Sequence, residues 1–279
     1  MAVEVLSPQA SSAFNTHDRS ANLNFWVDLK DGSVPAPLYL TPTTVTLNRE
    51  LHPFKVQVTD VTGKENQFTL DNNAFEFRRY KSNFQPEDFS DPEKIKTIYY
   101  KECEKLLCDL TGGNRALVFD HRVRNSKGAG YTGPVSRAHV DHSANGAASF
   151  LRHYMPDEAE DILKSGRRWI MLNAWRPIKT IERDPLTVAD GTTFDSEKDF
   201  HKAAVIYKWG EGESMAVIHN SAQKWYYKYH LSPEEVVLIK HFDSDASKPG
   251  QRCPHSAIVD EDVSLPDRES SEVRAFVFY

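Results

Sequence analysis

The sequence predicts a mainly β protein with helices, a sandwich or jelly roll carrying helical decoration. Three observations lead there. About nine short apolar or alternating runs, separated by turn residues, fill the chain after Arg115. One well-punctuated helix precedes them and a shorter one lies among them. Alternating strand–helix units and a glycine-rich phosphate loop are both missing, which argues against a dinucleotide-binding fold.

Taken in order, residues 1–20 are polar and read as a flexible N-terminal arm, leaving 21–279 as one domain with its jelly-roll core from about 115 onward. The stretch Asn24 to Tyr80 is β-rich, and Val56-Gln-Val-Thr and Gln67-Phe-Thr-Leu flank a Thr62-Gly-Lys turn signal, predicting a hairpin. Asp91-Pro92 then supplies a cap and a first-turn proline. Ile95, Ile98 or Tyr99, Cys103, Leu106 and Leu110 recur at helical spacing until Gly112-Gly113 stops them. A second helix fits Asp157 to Lys164, ended by Gly166. Strands are expected at 116–123, 135–141, 169–175, 203–207, 215–219, 225–229, 236–242, 255–259 and 271–279, with an acidic loop from Asp260 to Asp267.

Lys and Arg total 34 against 40 Asp and Glu, a net charge of −6. A mildly acidic chain lacks the basic face that nucleic acid or anionic lipid requires. No uncharged apolar run approaches the ~18–20 residues of a membrane span, and Met1 to Thr16 has no secretory pattern. The cysteines are Cys103, Cys108 and Cys253, an odd number with two on one predicted helix, so a reducing, cytoplasmic setting is expected. Homo-oligomerisation stays open.

The 11 histidines make metal chemistry worth testing. A His and an Asp two apart on a strand share a face and can grip one ion. Two such motifs occur, His139-Val-Asp141 and His241-Phe-Asp243, where roughly one is expected by chance. A mononuclear iron site needs two His and one carboxylate with the opposite positions open. His139 and Asp141 come early enough for several strands to intervene before a third ligand, and His255 is the natural candidate. Arg268-Glu-Ser270 then opens the last strand, offering a planar fork and a hydroxyl that suit the far carboxylate of a 2-oxo acid. Arg274 is the rival for that carboxylate, or a substrate residue. Asn173 and Arg176, ending an apolar strand, are further candidates for substrate or cosubstrate contact. His121, His219 and His241 read as core or supporting histidines.

The segments Val118-Phe-Asp-His121, Gly133-Pro-Val-Ser-Arg-Ala-His-Val-Asp-His-Ser143, Asn173-Ala-Trp-Arg-Pro177, Trp225-Tyr-Tyr, Glu235-Val-Val-Leu-Ile-Lys-His-Phe-Asp-Ser244, Pro254-His-Ser-Ala and Arg268-Glu-Ser-Ser-Glu-Val-Arg-Ala-Phe-Val-Phe278 together resemble the fungal hydroxylase/desaturase family, which includes gibberellin desaturase and aspergillic-acid hydroxylase. The likeness runs in order from about Phe25 to the C-terminus. It implies a double-stranded β-helix (jelly roll, cupin-like) core with an N-terminal extension and flanking helices. It also implies an oxygenase using Fe(II), 2-oxoglutarate and O2 to hydroxylate, desaturate or oxidatively cyclise a small secondary metabolite. On that pattern His139, Asp141 and His255 hold the metal, and Arg268 with Ser270 holds the cosubstrate. His142 and His241 depart from it, standing where Gln and Cys are common. The competing expectation is a non-oxidative metal-binding jelly roll, an isomerase, hydrolase or binding module, which has no need of the Arg-x-Ser pair.

Overall fold

The computed structural model describes residues 17–27, 36–40, 45–47, 50–125 and 133–279. Most of the expected N-terminal arm, residues 1–16, therefore lies outside the described residues, while Arg19 and Ser20 already belong to a strand.

The helix expected after Asp91 forms with the caps its sequence dictates. The Asp91 carboxylate accepts the N–H groups of Glu93 and Lys94, Pro92 takes the first position, and Gly112 ends the run at φ 73°. It is built as α1–α3 are numbered here: α1 (Leu70–Asn73) stands apart, and α2 (Pro92–Lys94) continues through a π-helical turn, Ile95–Tyr99, into α3 (Tyr100–Thr111). The wider π turn shifts the phase by one residue, so Tyr99 is buried and Ile98 is left 54% exposed. Further on come α4 (Ala144–Tyr154) and α5 (Ala159–Lys164). The second of these is the expected short helix, closed before Gly166 at φ 69°.

The strands, in chain order, are β1 (Arg19–Trp26), β2 (Leu38–Leu40), β3 (Val45–Leu47), β4 (Leu51–Asp60), β5 (Phe75–Arg79), β6 (Arg115–Asn125), β7 (His139–Val140), β8 (Trp169–Pro177), β9 (Leu186–Ala189), β10 (Phe200–Tyr207), β11 (Gly210–Val217), β12 (Trp225–Tyr227), β13 (Glu235–Asp243), β14 (His255–Ala257) and β15 (Glu269–Phe278). All nine expected runs contain a strand, though the first after β6 shrinks to two residues. They form a ten-stranded sheet, β1-β4-β12-β9-β14-β7-β11-β10-β2-β3, and a five-stranded sheet, β5-β13-β8-β15-β6. This is the jelly-roll class the sequence predicts. The N-terminal strands extend the larger sheet at both edges.

Strand parity decides what faces what. On β8 and β15, Leu172, Ala174, Val273, Ala275 and Val277 pack outward against Tyr99, Cys103, Leu106 and Leu107 of the long helix. Burying each such aliphatic side chain contributes about 1.5–3 kcal/mol. The opposite parity faces the larger sheet: Trp175 packs with Phe75, Ile239 and Val188 between the layers. Asn173, Glu272 and Arg274 share that inner side.

The expected hairpin does not form. The turn is present, with Gly63 at φ 77°, but both edges of β4 are already occupied, by β1 and β12. Asp60 accepts the N–H and hydroxyl of Thr62, and Thr69 caps α1 by accepting the N–H of Asn72. Gln67 ends a 3-10 turn and Leu70 opens α1, leaving only Phe68 and Thr69 extended between them, and β5 crosses to pair with β13.

Candidate metal centre

β7 and β14 lie side by side with His139 directly opposite His255. Their ring centroids are 4.4 Å apart. Asp141 follows β7, and the chain then turns into α4, whose start is fixed by Ser143. The Ser143 hydroxyl accepts the N–H of Gly146 at 3.0 Å, and the Ser143 N–H donates to the Glu213 carbonyl at 2.9 Å. A Cβ on Gly146 would sit 2.1 Å from that carbonyl oxygen, so only glycine lets α4 approach β11 this closely.

Donor atoms of His139, Asp141 and His255 all lie within 4.8 Å of one another. His139 Nε2 is 3.2 Å, and His255 Nε2 3.8 Å, from Asp141 Oδ1. Each histidine's Nδ1 faces a backbone carbonyl two residues back, that of Arg137 at 2.8 Å and that of Cys253 at 3.3 Å. An Nδ1–H donating there fixes the tautomer in which Nε2 keeps its lone pair, the form a metal needs. Burial, and then His255, pulls His139 down to about 4, so it is neutral at neutral pH.

Asp141's other oxygen is held from the smaller sheet. Asn173 Nδ2 donates to Oδ2 at 3.0 Å, Arg274 lies 3.3 Å from it, and His241 Nε2 lies 3.7 Å from it. Burial alone would raise the carboxyl. Arg274 first, then His241 and the His139 contact, hold it well below the usual carboxylate range. His142 and His241 are fully buried, with no hydrogen-bond partner at any ring nitrogen. Burial drives both below their ordinary value, His142 to about 3.

The second motif does not make a site. The ladder between β13 and β8 slips between Lys240 and Phe242. His241 is therefore an extra, bulged residue aimed at Asp141. Asp243 instead meets Lys240 Nζ at 2.7 Å and Arg168 at 2.6 Å.

Two cavities meet at the triad. The inner one, about 30 Å³, is lined by Arg268, Glu272, Arg124, Trp175, His255 and Asp141. Arg268 is 4% exposed; it stacks on Trp175 with 5.6 Å to the ring centroid and donates to the Asp184 carbonyl at 2.8 Å. Burial, and then the cation of Arg124, lowers it to about 10. Ser270 Oγ is buried without a partner. Arg274 lies between three carboxylates, Asp141, Glu272 at 3.1 Å and Asp120 at 3.2 Å. The outer cavity, about 220 Å³, is lined by Leu38, Leu40, Leu51 and Val205 together with Arg137, His139 and Asp141.

Asn173 thus reaches the centre, and Arg176 does not. Arg176 donates to the carbonyls of Pro233 and Phe84 and sits over Phe89 and Tyr99. Three positions along a strand from Asn173, it must point to the other face. Sequence reasoning passed over Arg124, Arg137 and Glu272. For Arg137 a signal was there, since it shares strand parity with His139.

The domain family described as "Oxidoreductase/YMDC permease-like domain" matches residues 23–278. The chain belongs to this family. Its curated relatives include fungal hydroxylase/desaturases and alpha-ketoglutarate-dependent dioxygenases, as the sequence resemblance implied. Hydroxylase/desaturase efuI of Hormonema carpetanum is 28% identical across 93% of this chain and 95% of its own length. The alpha-ketoglutarate-dependent dioxygenase tstK of Talaromyces stipitatus is 29% identical across 92% and 96%. The gibberellin cluster GA4 desaturase of Gibberella fujikuroi is 26% identical across 78% and 83%. Among solved structures, the iron and alpha-ketoglutarate-dependent endoperoxidase NvfI superposes with a TM-score of 0.84 at 25% identity, covering 94% of this chain and 98% of that one.

Proposed function

We propose that His139, Asp141 and His255 hold one Fe(II), and that Arg268 with Ser270 takes the far carboxylate of 2-oxoglutarate. The chain is an Fe(II)- and 2-oxoglutarate-dependent dioxygenase that oxidises a small secondary metabolite by hydroxylation, desaturation or ring closure. The observation that carries the ligand set is the buried His–Asp–His group, with both Nδ1 atoms turned to carbonyls and the donors facing a cavity that ends on Arg268. This donor set is the two-histidine, one-carboxylate face that suits non-haem iron.

Bound iron supplies the activation of O2, coupled to oxidative decarboxylation of 2-oxoglutarate to succinate and CO2, and removal of substrate hydrogen. The chain supplies position and exclusion of water. Asn173 and Arg274 orient Asp141 through Oδ2, leaving Oδ1 toward the histidines. Arg268 favours the cosubstrate carboxylate over Arg274 because Arg274 already faces three carboxylates. The organic substrate occupies the outer cavity, beside the metal. Residues 21–279 act as one oxygenase domain, a reading supported by β1 and β4 sharing the larger sheet with β14 and β7. A cytoplasmic setting accords with three free cysteines, two of them buried; no helix among the described residues is long and apolar enough to cross a membrane.

The test is Fe(II) titration of the purified protein, followed by aerobic assay of succinate formation from 2-oxoglutarate. One iron per chain and iron-dependent succinate are expected, both lost in His255→Ala. Iron uptake that survives in His255→Ala, or an absence of succinate with every 2-oxo acid tried, overturns the assignment.

A further inference from the structure

Arg137 sits in the wall of the outer cavity, two residues before His139 on the same side of the chain. Its backbone is pinned. A parallel bridge joins it to Asn24 of β1, Ala138 N–H donates to the Asn24 carbonyl at 2.8 Å, and Asn24 Nδ2 donates to the Ser136 carbonyl at 3.0 Å. Its own carbonyl takes the Nδ1 of His139. The guanidinium is treated differently. No hydrogen bond or ion pair joins it to another described residue, although it is only partly exposed. Its neighbours aggravate this. Arg124, Arg137 and Arg274 all line the outer cavity, and among the described residues lining it Asp141 is the one carboxylate. Asp141 is spoken for by the metal, and Arg274 by Asp120 and Glu272.

A cation partly withdrawn from water without a paired counter-charge is costly, and removing that cost is a source of binding energy for an anion that fits. The same cavity is also lined by Leu38, Leu40, Leu51 and Val205, which cannot solvate charge. We propose that Arg137 is the substrate-recognition residue of this dioxygenase, and that its substrate is a compact, largely apolar molecule bearing a carboxylate. The guanidinium would take the carboxylate in a forked pair and the aliphatic wall the hydrocarbon body, holding a C–H of that body toward the metal. This rests on the functional assignment above and narrows it to a substrate class.

The experiment uses protein loaded anaerobically with Fe(II) and 2-oxoglutarate, loading being measured first. Adamantane-1-carboxylate and the neutral adamantane-1-carboxamide are then titrated by calorimetry. A charge-assisted pair predicts that the acid binds about 10- to 100-fold more tightly than the amide. Arg137→Gln should bring the two within about twofold by weakening the acid alone. Arg137→Lys should restore part of the preference, since charge survives without the fork; a merely structural role gives no such graded rescue. Wild-type protein that ignores the acid, or an Arg137→Gln variant that keeps the preference, overturns the inference. So does a variant whose only defect is a raised KM for 2-oxoglutarate, which would assign Arg137 to the cosubstrate. Failure of the wild type to load iron or 2-oxoglutarate overturns the functional assignment as well, whereas normal loading without acid preference overturns this inference alone.

Discussion

The chain carries the same three-letter pattern twice, and the two copies end up with opposite fates. In His139-Val-Asp141 the histidine and the carboxylate converge, 3.2 Å apart, beside His255. In His241-Phe-Asp243 a bulge interposes one extra residue, so the histidine faces Asp141 and the carboxylate faces Lys240 and Arg168. Both pairs are buried, and both carboxyls are held below their ordinary range. One is held there chiefly by Arg274 against the penalty of burial, the other by Arg168 and Lys240. Residue identity at i and i+2 is therefore not a site; the bulge at His241 sends its two side chains apart, whereas those of His139 and Asp141 converge.

The comparison breaks if iron follows the wrong motif. His139→Ala and Asp141→Ala should each abolish iron binding and succinate formation, whereas His241→Ala should retain one iron per chain after gel filtration. The reverse result would hand the metal to the bulged copy. Next in size is stability. Asp243→Ala strands Lys240, whose side chain is fully buried, and should cost about 3–5 kcal/mol in denaturant unfolding. Lys240→Met with Asp243→Leu should recover part of that, because the buried ammonium is gone while Arg168 keeps Asp71 as a partner. If the single variant unfolds like the wild type, the second motif has no structural role either.

A third test concerns what the two motifs share, histidines kept neutral. In metal-free protein His139 titrates at about 4 and His142 at about 3, against 6.5 for an ordinary histidine. Between those values the unfolded chain binds more protons than the folded one, so stability is full above about 6.5 and falls as pH drops toward 4. Thermal midpoints recorded from pH 7 to 4.5 should decline, and less steeply in His142→Gln. A flat profile contradicts the burial assigned to these rings. The smallest expected effect is on the cosubstrate. Arg268→Ala should raise the KM for 2-oxoglutarate by about tenfold, equivalent to ~1.4 kcal/mol, with iron affinity unchanged and Arg268→Lys intermediate. A rise in Arg274→Ala instead would move the clamp to that residue.

Much of this was legible because it is local. Asp91-Pro92 and Gly112 bracket a helix through contacts spanning only a few residues, and the structure follows them. The run of short strands carried the sandwich or jelly-roll class, and the family resemblance narrowed it to a double-stranded β-helix. What was missed depends on partners distant in the chain. Helix α4 was not expected, and what fits it against β11, the close approach of Gly146 to the carbonyl of Glu213, is visible only in three dimensions. The hairpin at Gly63 failed because β1 and β12 claim both edges of β4. The bulge at His241 arises from pairing with β8, which no pattern in the strand itself announces. Arg176 is the instructive error, since counting alone places it opposite Asn173.

Asp141 has one oxygen toward histidines on β7 and β14, in the larger sheet, and the other held by Asn173 and Arg274 on β8 and β15, in the smaller. A single carboxylate is thus the rivet through both layers of the sandwich. On the proposed ligand set, thermodynamic reciprocity requires that whatever prises the layers apart weakens iron, and that iron resists the prising. Amide hydrogen exchange in β8 and β15, strands that contribute no ligand, should therefore slow when the metal binds.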